Sequence, residues 1–390
     1  KNNFVILLLF AFLGTNAQKT ILIKCGKIFN SRTGQVLERQ NILIKGNIIA
    51  DITKESVKAD SVIDLSNHFV LPGMIDCHTH VLLQADITVE DYNVQLLKES
   101  IPYRTLRASQ SALTALQYGF TTIRDLGTEG AGFADVDIKK AINNHVIPGP
   151  RMIVSTLAIN STGHYNIRAS DYAWELHLPK GLQEITGADE ARRAVRQQLE
   201  QGADWIKIYA DRSYYRLADG SFRAIPNFTK DEIEAIGEET LTSRKKLAAH
   251  AMTRDGIIAS INAGASSIEH GSGMDEECMD LMVKKGVFWC PTLFVNDYVA
   301  EGRAALGSPI NLYFKQSMES TFKKAIAKGV KLAYGTDIGG YAWEIPEAND
   351  FSYFVQWGLT PIQAIQTATI NAAQLLGLEG KIGEITKGAY

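Results

Sequence analysis

The chain has 390 residues, of which 45% are hydrophobic, 21% charged and 9% aromatic, enough apolar material for a large core and too much for a disordered chain. Forty basic against 43 acidic side chains leave a net charge of −3, so the electrostatic footprint of a nucleic-acid binder is missing. One short apolar run at the start and 32 glycines spread along the chain also exclude a polytopic membrane protein and a fibre.

The chain opens Lys1-Asn2-Asn3, runs apolar from Phe4 to Leu13 and continues Gly14-Thr15-Asn16-Ala17-Gln18. A basic start, a short apolar core and small residues before a cut predict a signal peptide over residues 1–17. That core is too short for a comfortable permanent span. The expectation is an exported protein, periplasmic or secreted, with no stable membrane span in its mature form. Export permits disulfides, but Cys25, Cys77, Cys278 and Cys290 are widely spaced and form no Cys-x-x-Cys pair. They read as small buried hydrophobes.

Residues 18–71 predict short strands at Thr20–Lys24, Lys27–Phe29, Asn41–Lys45, Ile48–Ile52 and Ser61–Asp64, with turns at 31–34 and 46–47. From 72 to 377 the regime changes. Eight apolar runs read as buried strands: Met74–His80, Thr121–Gly127, Arg151–Ile159, Trp205–Ala210, Leu247–Met252, Ser267–Gly271, Phe288–Leu293 and Lys331–Asp337. Helical patterns separate them, among them Ala188–Gln201, Thr229–Lys246, Thr253–Ala263, Asp275–Lys285 and Leu312–Lys328. Thr229 with Glu232 has the spacing of a capping box. Eightfold strand–helix alternation predicts an α/β fold, a TIM-type (β/α)8 barrel, with a doubly wound open sheet as the alternative. The connections 160–187, 211–228 and 294–311 read as loops on the active face. Thr360–Leu376 reads as one further helix, and Gly380–Ile385 as the start of another strand.

Chemistry concentrates at the strand ends. In Asp76-Cys77-His78-Thr79-His80 the two histidines lie at i and i+2, hence on one face of a strand, and two converging imidazoles favour a divalent metal. His250, His270 and Asp337 terminate the fifth, sixth and eighth runs, where barrel enzymes place their chemistry. Lys207 sits in the apolar fourth run. A buried lysine shifts towards its neutral amine, which reacts with carbon dioxide to give an anionic carbamate ligand. The competing readings are incidental core histidines and a Lys207 paired with Asp204 or Asp211.

The set His78-Thr79-His80 after Leu71-Pro72-Gly73-Met74-Ile75-Asp76, followed in order by Lys207, His250, His270 and Asp337, resembles the amidohydrolase superfamily, nearest to its imidazolonepropionase-like and Xaa-Pro dipeptidase-like hydrolases. Ser161-Thr162-Gly163-His164, Gly335-Thr336-Asp337 and Ala368-Thr369-Ile370-Asn371-Ala372-Ala373 belong to the same resemblance, which runs from about Ile21 to Tyr390. It implies a barrel with a small β-sandwich built from both chain ends: residues 18–71, and a C-terminal part of which 378–390 are only the beginning. It also implies two divalent ions, with His78, His80 and Asp337 on one, His250 and His270 on the other and carboxylated Lys207 between. Zinc suits such imidazole-rich ligation best. Imidazolonepropionase itself resembles this layout without the lysine and with a single metal, so Lys207 favours the two-metal branch.

The expected activity is metal-dependent hydrolysis of a C–N amide bond in a dipeptide, N-acyl amino acid or cyclic amide. Metal-activated hydroxide attacks, with Asp337 as general base and then acid. His164 is expected to bind substrate and to donate to the developing oxyanion, and Tyr209 to line the pocket. Arg124-Asp125 reads as either pocket wall or support. Gly127–Gly132 lacks the dinucleotide spacing and reads as a flexible active-face loop. His68, His145 and His177 read as structural or surface residues. The alternatives are a mononuclear imidazolonepropionase-like hydrolase and an exported solute-binding protein without turnover. The expected partner is a small molecule or short peptide, not nucleic acid, and a homo-oligomer is left open.

Overall fold

A computed structural model describes residues 18–85, 89–163 and 169–390. The leader expected at 1–17 and His164 lie outside the described residues. The described chain divides into two compact units, one of residues 18–30, Gln35–Leu71 and Ile385–Tyr390, the other of Ser31–Gly34 and Pro72–Glu384.

The first unit is a four-stranded sheet of β1 (Thr20–Phe29), β2 (Val36–Lys45), β3 (Ile48–Thr53) and β4 (Ser61–Val70), in the order β3-β2-β1-β4. The two strands expected before residue 30 are one strand with an irregularity between Cys25 and Lys27. Cys25, Ile28, Ile42 and Ile49 are buried together with Ala389 in one small cluster, and the irregularity after Cys25 brings Ile28 to the same face. The strand expected at Gly380–Ile385 is absent, and that stretch forms turns and bends. Beyond it, Ile49 N donates to Ala389 O at 2.8 Å and Gly388 N to Ile49 O at 2.9 Å, so the last residues lie along β3.

The second unit is TIM-barrel-like. One sheet holds β5 (Met74–Thr79), β6 (Phe120–Asp125) and β7 (Arg151–Val154). Another holds β8 (Ile159–Ser161), β9 (Gln183–Ile185), β10 (Trp205–Tyr209), β13 (Lys246–Thr253), β14 (Ser267–Gly273), β15 (Phe288–Cys290) and β16 (Lys331–Leu332), all paired in parallel. Backbone bonds continue each sheet into the other: Asp204 N to Val154 O at 2.8 Å, Cys77 N to Tyr334 O at 2.8 Å and Asp337 N to His78 O at 2.7 Å. Helices such as Ala188–Gln201, Arg254–Asn262 and Ile310–Lys328 follow the strands. The capping box at Thr229 and Glu232 is present. Ile206, Ile208, Leu247, Ala249 and Ile268 are fully buried in the main core, as parallel strands covered on both faces require.

Several expected boundaries move. The third strand breaks after Val154 because Asp135 Oδ2 captures Thr156 N at 2.8 Å and Thr156 turns to a φ of 61°. The eighth pairs with β15 over Lys331–Leu332 and through Ala333 N to Trp289 O at 3.0 Å, and Tyr334 O and Asp337 N bond to the first strand. The connection 211–228 is not a loop but a hairpin of β11 (Asp211–Arg216) and β12 (Phe222–Pro226). The stretch 294–311 contains most of the helix Leu293–Ala305. Thr360–Leu376 is two helices, Pro361–Thr367 and Ile370–Leu376, interrupted at Thr369 with φ −128° and ψ −97°. The four cysteines are free and buried. No helix of the described residues is long and apolar enough to cross a membrane.

Candidate metal centre

Strand period and strand ends set the site. His78 and His80 share one face at the end of β5, His250 and His270 lie in adjacent β13 and β14, and Asp337 follows the eighth strand. His78, His80, Lys207, Tyr209, His250, His270 and Asp337 all line one cavity. Ring centroids are 5.3 Å apart for His78–His80, 5.0 Å for His78–His270 and 4.5 Å for His250–His270. His78, His270 and Asp337 offer ligand atoms within 4.8 Å of one another. His80 joins them through Asp337, at 3.2 Å. His250 is turned otherwise, its Nε2 2.6 Å from the Tyr214 hydroxyl.

The hydrogen-bond chemistry tests whether this set fits a cation. Glu269 Oε2 lies 2.9 Å from His78 Nδ1. Against the effect of burial, the Arg124 guanidinium holds the Glu269 carboxyl well below the usual range, so it only accepts and His78 Nδ1 carries the hydrogen. That leaves a lone pair on His78 Nε2, which is buried, has no hydrogen-bond partner among the described residues and lies 3.4 Å from Asp337 Oδ1. His80 repeats the arrangement: Nδ1 donates to Gly127 O at 3.1 Å, and Nε2 faces the same Asp337 oxygen. A positive charge is needed among these nitrogens and the carboxylate: in the absence of an ion a proton on His80 Nε2 supplies it, and a divalent ion would take that proton's place. Imidazole and carboxylate are the donors that a divalent metal takes, and a carboxylate or carbonyl behind each ring is the usual support of a metal-bound histidine.

Electrostatics agree. Burial opposes ionisation of Asp337, but the imidazoles of His78, His80 and His270 hold its carboxyl well below the usual range. Burial also disfavours a charged His80, yet Asp337 outweighs it and raises the imidazole to about 9. Burial lowers Lys207 to about 8. Neither competing partner of Lys207 is available: Asp204 is bound by Lys139 at 2.6 Å, and Asp211 accepts from Met252 N and from the Thr253 N and Oγ1. Four non-glycine residues on the cavity wall, Glu129, Thr292, His270 and Asp337, have φ between 47° and 68°. Each such conformation costs about 1–3 kcal/mol and persists where the surroundings impose it, commonly at functional sites.

Of the two readings of Arg124, wall or support, the structure selects support, and other functional groups escaped the sequence reading. Arg124 does not line the pocket; it lies beneath, donating to Cys77 O, Ser267 Oγ and Glu269 Oε1 at 2.6, 3.0 and 2.9 Å. Glu269, a carboxylate inside an apolar strand next to His270, carried a visible signal. Glu129, in the glycine-rich loop, projects into the cavity and accepts from the hydroxyls of Tyr92 and Tyr209, each at 2.9 Å. Tyr214 and Arg212 come from the hairpin, and Arg303 from the helix Leu293–Ala305, all three on the cavity lining.

Comparison with known proteins points the same way. Residues 69–390 match the family model described as Amidohydrolase family. Ochratoxinase of Aspergillus niger is 30% identical over 413 aligned residues, covering 96% of this chain and 80% of that protein. The crystal structure of a Xaa-Pro dipeptidase with methionine bound in its active site aligns at TM-score 0.83 and 33% identity, over 95% of this chain and 92% of that one. That of a prolidase complexed with N-methylphosphonate-L-proline aligns at TM-score 0.81 and 28% identity, over 95% and 90%.

Proposed function

Because the chain belongs to the Amidohydrolase family, it is a hydrolase of carbon–nitrogen bonds, and we propose that it cleaves the amide bond of a small substrate carrying a free carboxylate, a dipeptide or an N-acyl amino acid, at a centre of divalent metal. One observation carries this reading: the six groups His78, His80, Lys207, His250, His270 and Asp337 line the same cavity as the guanidiniums of Arg212 and Arg303. Arginine recognises carboxylates by paired, charge-assisted hydrogen bonds. The dipeptidase and prolidase relatives support a peptide bond as the scissile amide.

A divalent ion held by these residues supplies Lewis acidity towards the scissile carbonyl and towards water, and zinc suits the donor set best. The protein's own groups do the rest. Asp337, kept ionised by its imidazole neighbours, takes the proton of the attacking water on a carboxylate oxygen and passes it to the leaving nitrogen. Glu269 and the Gly127 carbonyl fix the ring orientation of His78 and His80. Among the described residues Lys207 makes no ion pair with a carboxylate, and burial lowers its amine to about 8, which supports a carbamate form that would serve as an anionic metal ligand. Residues 1–17 support export of the enzyme.

The test is a hydrolysis screen of dipeptide and N-acyl amino acid libraries on metal-loaded protein, together with metal analysis. Turnover of at least one class with close to two divalent ions per chain is expected. Tight binding without product after long incubation would instead favour an exported solute-binding protein.

A further inference from the structure

Among the groups of the cavity, Glu129 has no part in the chemistry just described, and it is held with unusual care. Its residue adopts a φ of 49°, and its backbone is pinned by Arg104, whose Nη2 donates to the carbonyls of Leu82, Thr128 and Glu129 at 3.1, 3.2 and 2.8 Å. Its side chain is nearly buried, with the residue 7% exposed. Each carboxylate oxygen accepts one phenol hydrogen, from Tyr209 and from Tyr92. No lysine or arginine among the described residues lies within ion-pair distance of it. The nearest cationic-type atom is His80 Nδ1 at 3.6 Å, whose hydrogen is directed to Gly127 O. His80, its one ion-pair contact among the described residues, is shared with Asp337, which lies closer at 3.2 Å; a buried carboxylate so placed gains from a cation of its own, and this one faces the cavity.

Its position says which part of a ligand it meets. His80 presents Nε2 to Asp337 and Nδ1 to Glu129, so the Glu129 carboxylate stands one imidazole ring away from the Asp337 carboxylate. In a dipeptide the α-ammonium is two bonds from the scissile carbonyl carbon. A carbonyl attacked beside Asp337 therefore carries its α-ammonium into the reach of Glu129. N-acyl amino acids and cyclic amides have no cation there.

We propose that Glu129 binds the free α-ammonium of the substrate and so makes this enzyme a dipeptidase, selecting against N-acyl amino acids. The inference rests on the hydrolase reading above and narrows it. Removing the substrate's cation leaves a buried carboxylate without its partner, the situation in which a polar site discriminates strongly.

The experiment compares alanyl and propionyl derivatives of the same C-terminal amino acid, which differ by the ammonium alone, in the wild type and in Glu129→Gln. The wild type is expected to favour the alanyl substrate by at least about 10²-fold in kcat/KM. In the variant that ratio is expected to collapse to within about tenfold, mainly through a raised KM for the alanyl substrate. Equal use of both substrates by the wild type overturns this inference while leaving the hydrolase reading intact, and that comparison needs no variant to fold. An equal fall in kcat on both substrates in Glu129→Gln also overturns it, since that is the signature of a group that merely positions His80 and Tyr209. A wild type that hydrolyses neither, nor any other amide, removes the hydrolase reading and this inference together.

Discussion

At residue scale, His78 illustrates how the site is assembled in depth. Arg124 bonds Glu269, Glu269 bonds His78 Nδ1, and the remaining nitrogen is left facing Asp337. Arg124 and Glu269 have fully buried side chains, and such a pair contributes orientation more than stability. Asp337→Asn removes the proton acceptor while keeping the shape; kcat is expected to fall about 10²–10⁴-fold with the thermal midpoint within a few degrees of wild type, as steady-state kinetics and calorimetry will measure. Lys207→Ala removes the amine that burial lowers to about 8. Metal content and activity are expected to fall together, and metal analysis showing both ions retained would count against the carbamate.

At the scale of elements, the hairpin β11–β12 and the strand β13 meet through Asp211, whose carboxylate accepts three hydrogen bonds from Met252 and Thr253. Gly256, in the helix after β13, makes this approach possible, since a Cβ there would lie 2.3 Å from Asp211 Oδ2. Burial raises Asp211 to about 6, against those bonds. An aspartate in the unfolded chain ionises near 4. Between these values the folded state holds a proton that the unfolded state has released, so stability from this group is present below about pH 4 and is lost as pH rises to about 6. Asp211→Asn is expected to remove that slope, at most about 1.4 kcal/mol per pH unit, which urea denaturation of both proteins from pH 4 to 6.5 will detect as a narrowing gap between the two curves.

Elements also mark where sequence reading falls short. The hairpin's strands, Asp-Arg-Ser-Tyr-Tyr-Arg and Phe-Arg-Ala-Ile-Pro, lack the apolar runs of the barrel strands and so read as loop. The helix Leu293–Ala305 hides because its apolar residues do not keep to one stripe. Both missed elements supply cavity residues, Arg212 and Tyr214 from one and Arg303 from the other. By contrast His78 and His80 were legible because the strand period forces i and i+2 onto one face, and Lys207, His250 and His270 because each interrupts or ends an apolar run.

At the scale of the whole molecule, a cation bound among His78, His80, His270 and Asp337 ties strands one, six and eight together. Binding to the folded state alone stabilises it by mass action. Chelation is therefore expected to lower the thermal midpoint by several degrees and abolish activity, with both restored by added zinc; a midpoint indifferent to the chelator would argue against a metal in the folded centre.

The sequence by itself determined the alternation of strands and helices, the strand-end positions of His78, His80, Lys207, His250, His270 and Asp337, and the resemblance these carry, because strand period and burial are local properties of a chain. Only the tertiary structure decided that Glu269 backs His78, that His250 turns to Tyr214, and that Glu129, Arg212 and Arg303 share the cavity with the imidazoles. Those partners lie tens to hundreds of residues apart, and no local periodicity encodes a hydrogen bond between strands that meet only when the sheet is built.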